Sequence, residues 1–265
     1  ETGITQTDVI APACHDTGSA VAAVPAVRDN WAYLSSGTWS LLGIEAAAPT
    51  ITDDSLSGNF TNEGGVNNSI RFLRNTMGLW LLQRCLHLWN SHGANLTYSD
   101  LVELAKKSPA FKSIINPDDK AFLNPPDMPA AIATYCQKTG QVVPETKSAF
   151  VRTILESLAL KYRHLINIMN NMLPTAVEVL HVVGGGSQNE LLNQFTANAT
   201  GLTVVAGPAE ATALGNILVQ AITKKEISGI EDGRKLIAET TPLKYYEPAD
   251  TASWNEIYDK FKKLF

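Results

Sequence analysis

The feature that most constrains the fold is a run of three glycines between a predicted buried strand and a predicted helix. The strand is the apolar run 177–183, the glycines are residues 184–186, and helical spacing begins at Gln188. Glycine adopts positive φ without steric cost and leaves space where a side chain would block a ligand. A helix start presents unpaired N–H groups and a partial positive charge, which suit phosphate. The segment predicts a nucleotide site in an α/β protein, while a plain tight turn would use the same residues.

Two common nucleotide-binding motifs are excluded. A dinucleotide-binding βαβ unit needs Gly or Ala three residues after the second spaced glycine and an acidic residue at the end of the next strand. This chain has Asn189 at the first position, and the apolar run 203–205 continues into Ala206-Gly207-Pro208. The sequence also lacks G-x-x-x-x-G-K-[ST], the pattern of a P-loop. The glycines therefore belong to another nucleotide-binding fold.

Composition restricts the class of protein and its partners. With 265 residues, 45% hydrophobic and 18% charged, the chain can form one large or two small globular domains. The net charge of -5, with only short basic pairs, predicts no binding to nucleic acid. No signal peptide or spanning segment is visible, which predicts a cytoplasmic protein without membrane contact. Cys14, Cys85 and Cys136 lie far apart in apolar surroundings and predict reduced core thiols.

Hydrophobic periodicity predicts alternating strands and helices, which is typical of a layered α/β domain. Strands are predicted over 8–14, 31–36, 39–46, 177–183 and 202–205. Helices are predicted over 18–24, 71–92, 99–107, 144–173, 188–200, 210–223 and 254–265. The proline-rich stretch from Pro109 to Pro129 predicts a surface excursion between two helices.

His15-Asp16-Thr17 stands where a predicted strand ends and a helix begins, a position at which α/β proteins present groups to ligands. The Asp16 carboxylate can serve as a helix N-cap that accepts the N–H of Gly18 or Ser19. It can equally accept the proton of a hydroxyl that attacks a phosphoryl group. His15 either packs at the strand end or donates to a substrate, and local sequence leaves these alternatives open.

Two further segments have both a structural and a functional interpretation, and a third has a structural one. Residues 35–38, Ser-Ser-Gly-Thr, predict a hairpin turn, and the same turn can present N–H and hydroxyl donors to a terminal phosphate. Asn75 and Gln83 are polar within the predicted helix 71–92, so they either face solvent or line a cleft. The small residues of 210–216 predict close helix packing in the core.

Four motifs in order along the chain resemble the C-terminal half of the FGGY carbohydrate kinases. They are residues 15–20, 33–40, 61–65 and 75–83. The triple-glycine run and residues 206–216 continue the match, which then covers nearly the whole chain. The resemblance implies an α/β fold of the actin-like ATPase or ribonuclease-H-like kind, with a mixed sheet flanked by helices.

In that family the matching region is the nucleotide-binding domain, so residues 1–265 are expected to form that domain, with the sugar-binding N-terminal domain absent from this chain. The first residues, Glu1-Thr2-Gly3, lack an initiator Met and suggest a piece of a longer protein. The expected reaction is ATP-dependent phosphorylation of L-rhamnulose at the 1-hydroxyl, with this half inactive alone. The alternatives are a kinase for another ketose or a polyol, and a non-catalytic actin-like nucleotide-binding module.

The resemblance also implies individual roles. Asp16 matches the general base that deprotonates the attacking hydroxyl. Sugar contacts are expected from His15, Asp16, Thr17 and Asn75. Nucleotide contacts are expected from Thr38, Gln83, Gly185, Gly186 and Asn189. ATP is the expected cosubstrate and Mg²⁺ the expected ion, although the sequence contains no ligand cluster that indicates a metal site.

Overall fold

The computed structural model describes Gly3, residues 7–13 and residues 15–265. The chain folds into a seven-stranded mixed sheet with helices on both faces. The strands are β1 Trp31–Ser36, β2 Trp39–Ala46, β3 Thr61–Gly64, β4 Ile70–Met77, β5 Val179–Val183, β6 Thr203–Ala206 and β7 Lys244–Tyr246. The first five helices are α1 Asp16–Ala22, α2 Asp53–Ser57, α3 Trp80–Ser91, α4 Tyr98–Lys106 and α5 Met128–Lys138. The others are α6 Lys147–Asn170, α7 Glu190–Thr200, α8 Ala211–Thr223, α9 Ile230–Thr240 and α10 Thr251–Phe261.

The strand order is β3-β4-β2-β1-β5-β6-β7. Strands β1, β5 and β6 are mutually parallel, and the remaining neighbours pair antiparallel. The carboxyl ends of β1, β5 and β6 therefore meet at one edge of the sheet. In open α/β sheets this is the edge at which ligands bind, and here it brings together Gly37, Gly184 and Gly207.

Side chains alternate between two cores because successive residues of a strand point to opposite faces. In β1, Ala32 and Leu34 enter the larger core, which the sheet shares with α3, α4, α5, α6, α7 and α10. Tyr33 enters the smaller core, which the sheet shares with α1, α8 and α9. Both faces of the central strands are thus covered, as expected for a parallel sheet.

The crossing of α1 and α8 depends on a glycine. A Cβ atom at Gly215 would lie 1.7 Å from the carbonyl oxygen of Ser19, so a side chain at this position is incompatible with the observed separation of the helices. Most of α1 is buried, from Thr17 to Ala22. The predicted close packing of residues 210–216 is confirmed.

Most predicted elements are confirmed, and β1 and β2 have the predicted bounds. The strand predicted over 8–14 is wrong, because residues 7–13 form no strand and Val9 is 98% exposed. Both sides of β1 are already paired, with β2 and β5, so this segment cannot add a strand beside β1, and its apolar composition alone does not make it a strand. Cys85 and Cys136 are free and buried as predicted, whereas Cys14 lies outside the described residues.

The long helix predicted over 71–92 is also wrong. Its first part is strand β4, and only Trp80–Ser91 is helical. Phe72 and Leu73 are both fully buried, on opposite faces of the sheet. Consecutive burial is typical of a strand covered on both faces, and it produced an apolar spacing that resembles helical periodicity.

The proline-rich stretch 109–129 is not a surface excursion, because Ile114, Ile115 and Phe122 are buried in the larger core. Its backbone polar groups are satisfied by side chains, which allows an irregular segment to be buried. The Ile115 N–H donates to Ser157 Oγ at 2.9 Å. Helices α2, α5 and α9 and strands β3 and β7 were not predicted from the sequence.

The C-terminal helix docks on the body as predicted. Helix α10 buries Trp254, Ile257, Tyr258 and Phe261 along one face, and Arg163 contributes its Nη1–H to the Trp254 carbonyl at 3.4 Å. Among the helices of the described residues, none is both long enough and apolar enough to cross a bilayer.

Replacing Gly215 with Ala tests the α1–α8 crossing. Overpacking should lower the free energy of unfolding by about 1–3 kcal/mol, measured by urea denaturation. Gly64→Ala is the control, since Gly64 lies on strand β3, away from the α1–α8 crossing, and a Cβ there meets nothing within 4 Å; its effect should stay within about 0.5 kcal/mol. Equal midpoints for the two variants would contradict the described crossing.

Candidate functional site

A cleft of about 620 Å³ opens at the carboxyl edge of the sheet, between the triple-glycine loop and helices α3 and α4. Its volume lies within the range of small-molecule sites, roughly 300–1,000 Å³. Four of the residues expected at the nucleotide line it, namely Gln83, Gly185, Gly186 and Asn189. The fifth, Thr38, follows Gly37, which is also part of the wall. The structure therefore brings together segments that are a hundred residues apart in sequence.

The three glycines have different physical reasons to lack a side chain. Gly184 has φ 82°, a conformation that favours glycine, and Gly186 packs so tightly that a Cβ would lie 2.0 Å from Ser36 Oγ. Gly185 is exposed, and a Cβ there would meet nothing within 4 Å. Gly184 and Gly186 thus form a tight turn against β1, while Gly185 leaves the cleft open; the nucleotide-site interpretation stays a prediction.

The start of α7 carries its own negative charge. Asn189 caps the helix, with Oδ1 accepting the N–H of Leu192 at 3.0 Å. Glu190 follows in the first turn and pairs with Lys244, whose hydrogen bond and charge lower the pKa of the carboxyl. Lys244 balances this charge, so the first turn of α7 carries an ion pair at the edge of the cleft.

The Gly37-Thr38 turn is held by the start of α3. The Leu79 N–H donates to the Gly37 carbonyl at 2.9 Å, and the Trp80 N–H donates to the Thr38 carbonyl at 3.1 Å. The Thr38 hydroxyl donates to Gln83 Oε1 at 3.1 Å and is exposed. Two residues expected at the nucleotide thus touch each other, with Thr38 presented toward solvent from a fixed turn.

Asp118 supports this arrangement and was missed by the sequence analysis. Its Oδ1 accepts the Thr76 hydroxyl at 2.7 Å and the Met77 N–H at 2.8 Å, and its Oδ2 lies 2.8 Å from Lys161 Nζ. These bonds fix the end of β4, immediately before the Gly78–Leu79 link to α3. The residue lies in the stretch interpreted as a surface excursion, and no local pattern distinguishes it from a solvated aspartate.

The environment of Asp118 keeps it ionised. Burial alone would raise the pKa of the carboxyl, but the charge and hydrogen bond of Lys161 and the N–H of Met77 outweigh it and lower the pKa below 3.8. An ionised Asp118 then balances the buried Lys161 ammonium, whose side chain is only 1% exposed. The pair therefore acts as an internal anchor between the 109–129 stretch and α6.

The expected sugar-binding residues lie at the start of α1. His15 is the N-cap, with Nδ1 accepting the Thr17 N–H at 3.3 Å, so the assignment of Asp16 as a cap for Gly18 or Ser19 is wrong. Asp16 is instead the first helical residue, and its Oδ1 accepts the Thr17 N–H at 2.7 Å. The Asp16 side chain is 75% exposed. Its carboxylate is therefore accessible to a ligand.

Asn75 is exposed on strand β4 and is not on a helix. It shares a face of the sheet with Leu73, which packs in the smaller core against α1. Neither Asn75 nor residues 15–17 line the cleft described above. The expected sugar residues thus share the α1 face of the sheet, apart from the cleft, and their roles remain predictions.

The described residues contain no group of three or more histidine, cysteine, aspartate or glutamate side chains that could hold a metal ion. In this part of the chain, Asp16 and Asp118 act in separate environments.

Residues 32–223 match the model of the FGGY family of carbohydrate kinases, C-terminal domain. The rhamnulokinase of Bacteroides thetaiotaomicron is 53% identical over 261 residues, which cover 98% of this chain and 53% of that protein. The rhamnulokinase of Bacillus subtilis is 43% identical over 242 residues, covering 91% of this chain and 49% of that protein. The chain spans about half the length of these curated relatives.

Solved structures confirm the fold class. The xylulose kinase from Rhodospirillum rubrum superposes with a TM-score of 0.69 at 16% identity, covering 94% of this chain and 49% of that one. A glycerol kinase from Plasmodium falciparum, solved with ADP, gives a TM-score of 0.62 at 14% identity, covering 94% and 49%. At such identities the likeness shows the fold alone, which is that of the actin-like ATPases.

Substitutions at adjacent glycines should separate binding from stability. Gly185→Val places a side chain in the open cleft, and we expect it to weaken binding of an ATP analogue by at least about tenfold, or ~1.4 kcal/mol, without lowering the melting temperature. Gly186→Ala should lower the melting temperature, because its Cβ would clash with Ser36. Calorimetric titration and thermal unfolding measure both. Unchanged binding by Gly185→Val would show that the nucleotide lies elsewhere.

Asp118→Asn should show a defined pH dependence. Because the folded-state pKa is lowered, Asp118 stabilises the fold above pH 3.8, and this stabilisation is lost as the pH falls through the folded-state pKa. At pH 7 the variant should lose about 3 kcal/mol of unfolding free energy, since Lys161 stays buried without its partner. The difference from the unmodified protein should shrink below pH 3.8 in urea denaturation. A difference that is constant with pH would contradict the ion pair.

Proposed function

Because the chain belongs to the FGGY family of carbohydrate kinases, we propose that it is the nucleotide-binding domain of an ATP-dependent kinase that phosphorylates L-rhamnulose at the 1-hydroxyl. The products are L-rhamnulose 1-phosphate and ADP. The observation that carries the reaction type is the exposed Asp16 carboxylate at the start of α1. The choice of sugar is supported by the rhamnulokinases that are 43–53% identical to the chain.

We further propose that residues 1–265 are the C-terminal domain and that the sugar is held largely by an N-terminal domain of the same protein. The support is that the chain aligns with only about half of each rhamnulokinase. An exposed Asp16 also agrees with this arrangement, since a reaction that transfers a phosphoryl group must exclude water from the acceptor site. The isolated chain is therefore expected to have almost no kinase activity.

In the proposed reaction the sugar oxygen attacks the γ-phosphorus of ATP while Asp16 takes the hydroxyl proton. The bond between the γ-phosphorus and the bridging oxygen breaks, and ADP leaves. His15, Thr17 and Asn75 would orient the sugar. Catalysis of this kind relies on positioning and charge stabilisation rather than on covalent intermediates, which suits a carboxylate that is accessible and held by its neighbour Thr17.

On the nucleotide side, Thr38 would donate its hydroxyl to a phosphate oxygen, and Gln83 would orient that hydroxyl. Their hydrogen bond in the structure supports this assignment. Gly185, Gly186 and Asn189 would lie against the nucleoside, in agreement with their positions on the cleft wall. The open space over Gly185 fits a planar ligand.

Mg²⁺ would accompany ATP and neutralise its phosphate charge. The described residues alone do not form a metal-binding cluster, so we assign no step of the reaction to an ion held by this chain. We place the protein in the cytoplasm, where ATP is available and where the free, buried Cys85 and Cys136 would stay reduced.

Asp16→Asn in the full-length protein tests the assigned base. Loss of the proton acceptor should lower kcat by about 10²–10⁴-fold, whereas the melting temperature and ATP affinity should stay unchanged because Asp16 is exposed and outside the cleft. Asp29→Asn is the matched control, since Asp29 is also exposed. Full turnover by Asp16→Asn would refute its role as the base.

The activity assay is a coupled measurement of ADP with L-rhamnulose, L-fuculose, xylulose and glycerol as acceptors. L-Rhamnulose should give the highest kcat/KM. A preference for another acceptor would support the proposed kinase activity but show that L-rhamnulose is not its substrate. ATP binding without turnover on any acceptor would favour a non-catalytic nucleotide-binding module.

A further inference from the structure

The T-N-E-G-G motif at residues 61–65 contains none of the residues to which the proposed function assigns a role. It forms strand β3 and the residue that follows it, and β3 pairs antiparallel with β4 so that Glu63 lies opposite Arg71. The two side chains form an ion pair, with Arg71 Nη2 and Glu63 Oε2 2.9 Å apart. The hairpin of β3 and β4 thus carries a guanidinium and its carboxylate partner.

Arg71 lies directly against the first turn of α1. It is among the largest fully buried side chains, with 2% exposure. A Cβ at Gly18 would lie 3.6 Å from Arg71 Cζ and 3.7 Å from Arg71 Nε. Gly18 is two residues from Asp16 in the same turn of the helix. These are van der Waals distances, so the guanidinium packs beside the turn that carries Asp16; the neighbour that excludes a side chain at Gly18 is Ala13, whose Cβ would lie 2.8 Å away.

Two hydrogen bonds fix the direction of the guanidinium. Besides the bond to Glu63, Arg71 Nε donates to the Gly64 carbonyl at 3.2 Å. Both acceptors belong to the T-N-E-G-G motif. Nη1 is buried and has no hydrogen-bond partner among the described residues. A buried guanidinium with an unsatisfied nitrogen is an inefficient source of stability, because an apolar side chain of similar volume avoids its desolvation.

We propose that Glu63 and Arg71 are positioning residues that hold the first turn of α1, and with it Asp16, in the orientation needed for proton transfer. The inference rests on the proposed function, since it assigns a role in the reaction of Asp16. The pair does not touch the sugar. Arg71 acts by packing against the Gly18 turn, while Glu63 and the Gly64 carbonyl hold its guanidinium in place; groups behind a reactive side chain fix its geometry in this way.

The other end of α1 offers a matched control. Arg234 is 6% exposed, and its Nη2 lies 2.9 Å from Glu45 Oε2 and donates to the Val21 carbonyl at 3.1 Å. Its Nε is likewise buried without a partner among the described residues. Arg71 and Arg234 thus have the same chemistry at opposite ends of one helix, and only Arg71 lies beneath the turn of Asp16.

The experiment compares Arg71→Met, Glu63→Gln and Arg234→Met in the full-length protein, at a temperature well below unfolding. Misplacement of Asp16 should lower kcat by about 10–100-fold in Arg71→Met and Glu63→Gln. The KM for ATP should stay unchanged, because the nucleotide cleft does not include this hairpin. Arg234→Met should keep kcat while losing a similar amount of thermal stability. Arg71→Lys, which retains the charge but not the planar fork, should recover part of the lost kcat.

Two outcomes overturn the inference: equal loss of kcat in Arg71→Met and Arg234→Met, or a parallel rise in the KM for ATP, which would indicate general damage to the domain. If Arg71→Met does not fold, Glu63→Gln decides, since Glu63 is one-third exposed and the variant keeps its shape. These outcomes can be distinguished from failure of the proposed function. In that case the Asp16→Asn variant would keep its turnover, or the unmodified protein would show none.

Discussion

The pairing of β1 with β5 determines where the cleft forms. These strands are 148 residues apart at their first residues, and the register joins Leu34 to Val182 and Ser35 to Val183. In consequence the turn after β1 and the glycine loop after β5 leave the sheet side by side. Ser36 then packs against Gly184 and Gly186, at distances that a Cβ on either glycine would violate or strain. A shift of the register by one residue would move Ser36 to the other face and separate Thr38 from the glycine loop.

The two sides of the site depend on different parts of the domain. Thr38 and Gln83 are fixed by the start of α3, which packs in the larger core and is supported by Asp118. Asp16 depends on α1, which packs in the smaller core against α8 and over the β3–β4 hairpin. Since few interactions are shared, each side can be altered without the other, and defects in ATP binding and in proton transfer should be separable.

The local sequence was sufficient to predict features that depend only on residues close together in the chain. The glycine loop and the Gly37-Thr38 turn follow from turn residues and strand ends, whereas residues 7–13 before α1 form no strand. It was insufficient where burial depends on distant partners. Phe72 and Leu73 resemble helical residues until the second covering layer is known, and Asp118 resembles a loop residue until Lys161 is placed beside it, 43 positions later in the chain. The cap of α1 was misassigned by one residue, since a histidine nitrogen accepts the N–H that an aspartate usually takes.

Asp16 and Asp118 have the same side chain in opposite environments, since Asp16 is exposed and Asp118 is paired with a buried lysine. Asp118 accepts two hydrogen bonds from β4 and pairs with a buried ammonium, so accepting a proton would cost the domain that interaction. Asp16 accepts local hydrogen bonds from Thr17, lies 3.1 Å from His15 Nδ1 and is three-quarters exposed. An exposed carboxylate, however, is surrounded by water that competes with a sugar hydroxyl for the phosphoryl group. A base at Asp16, as we propose, would therefore be selective for the sugar only when another surface covers α1, and that requirement links its exposure here to the second domain that we propose for the complete protein.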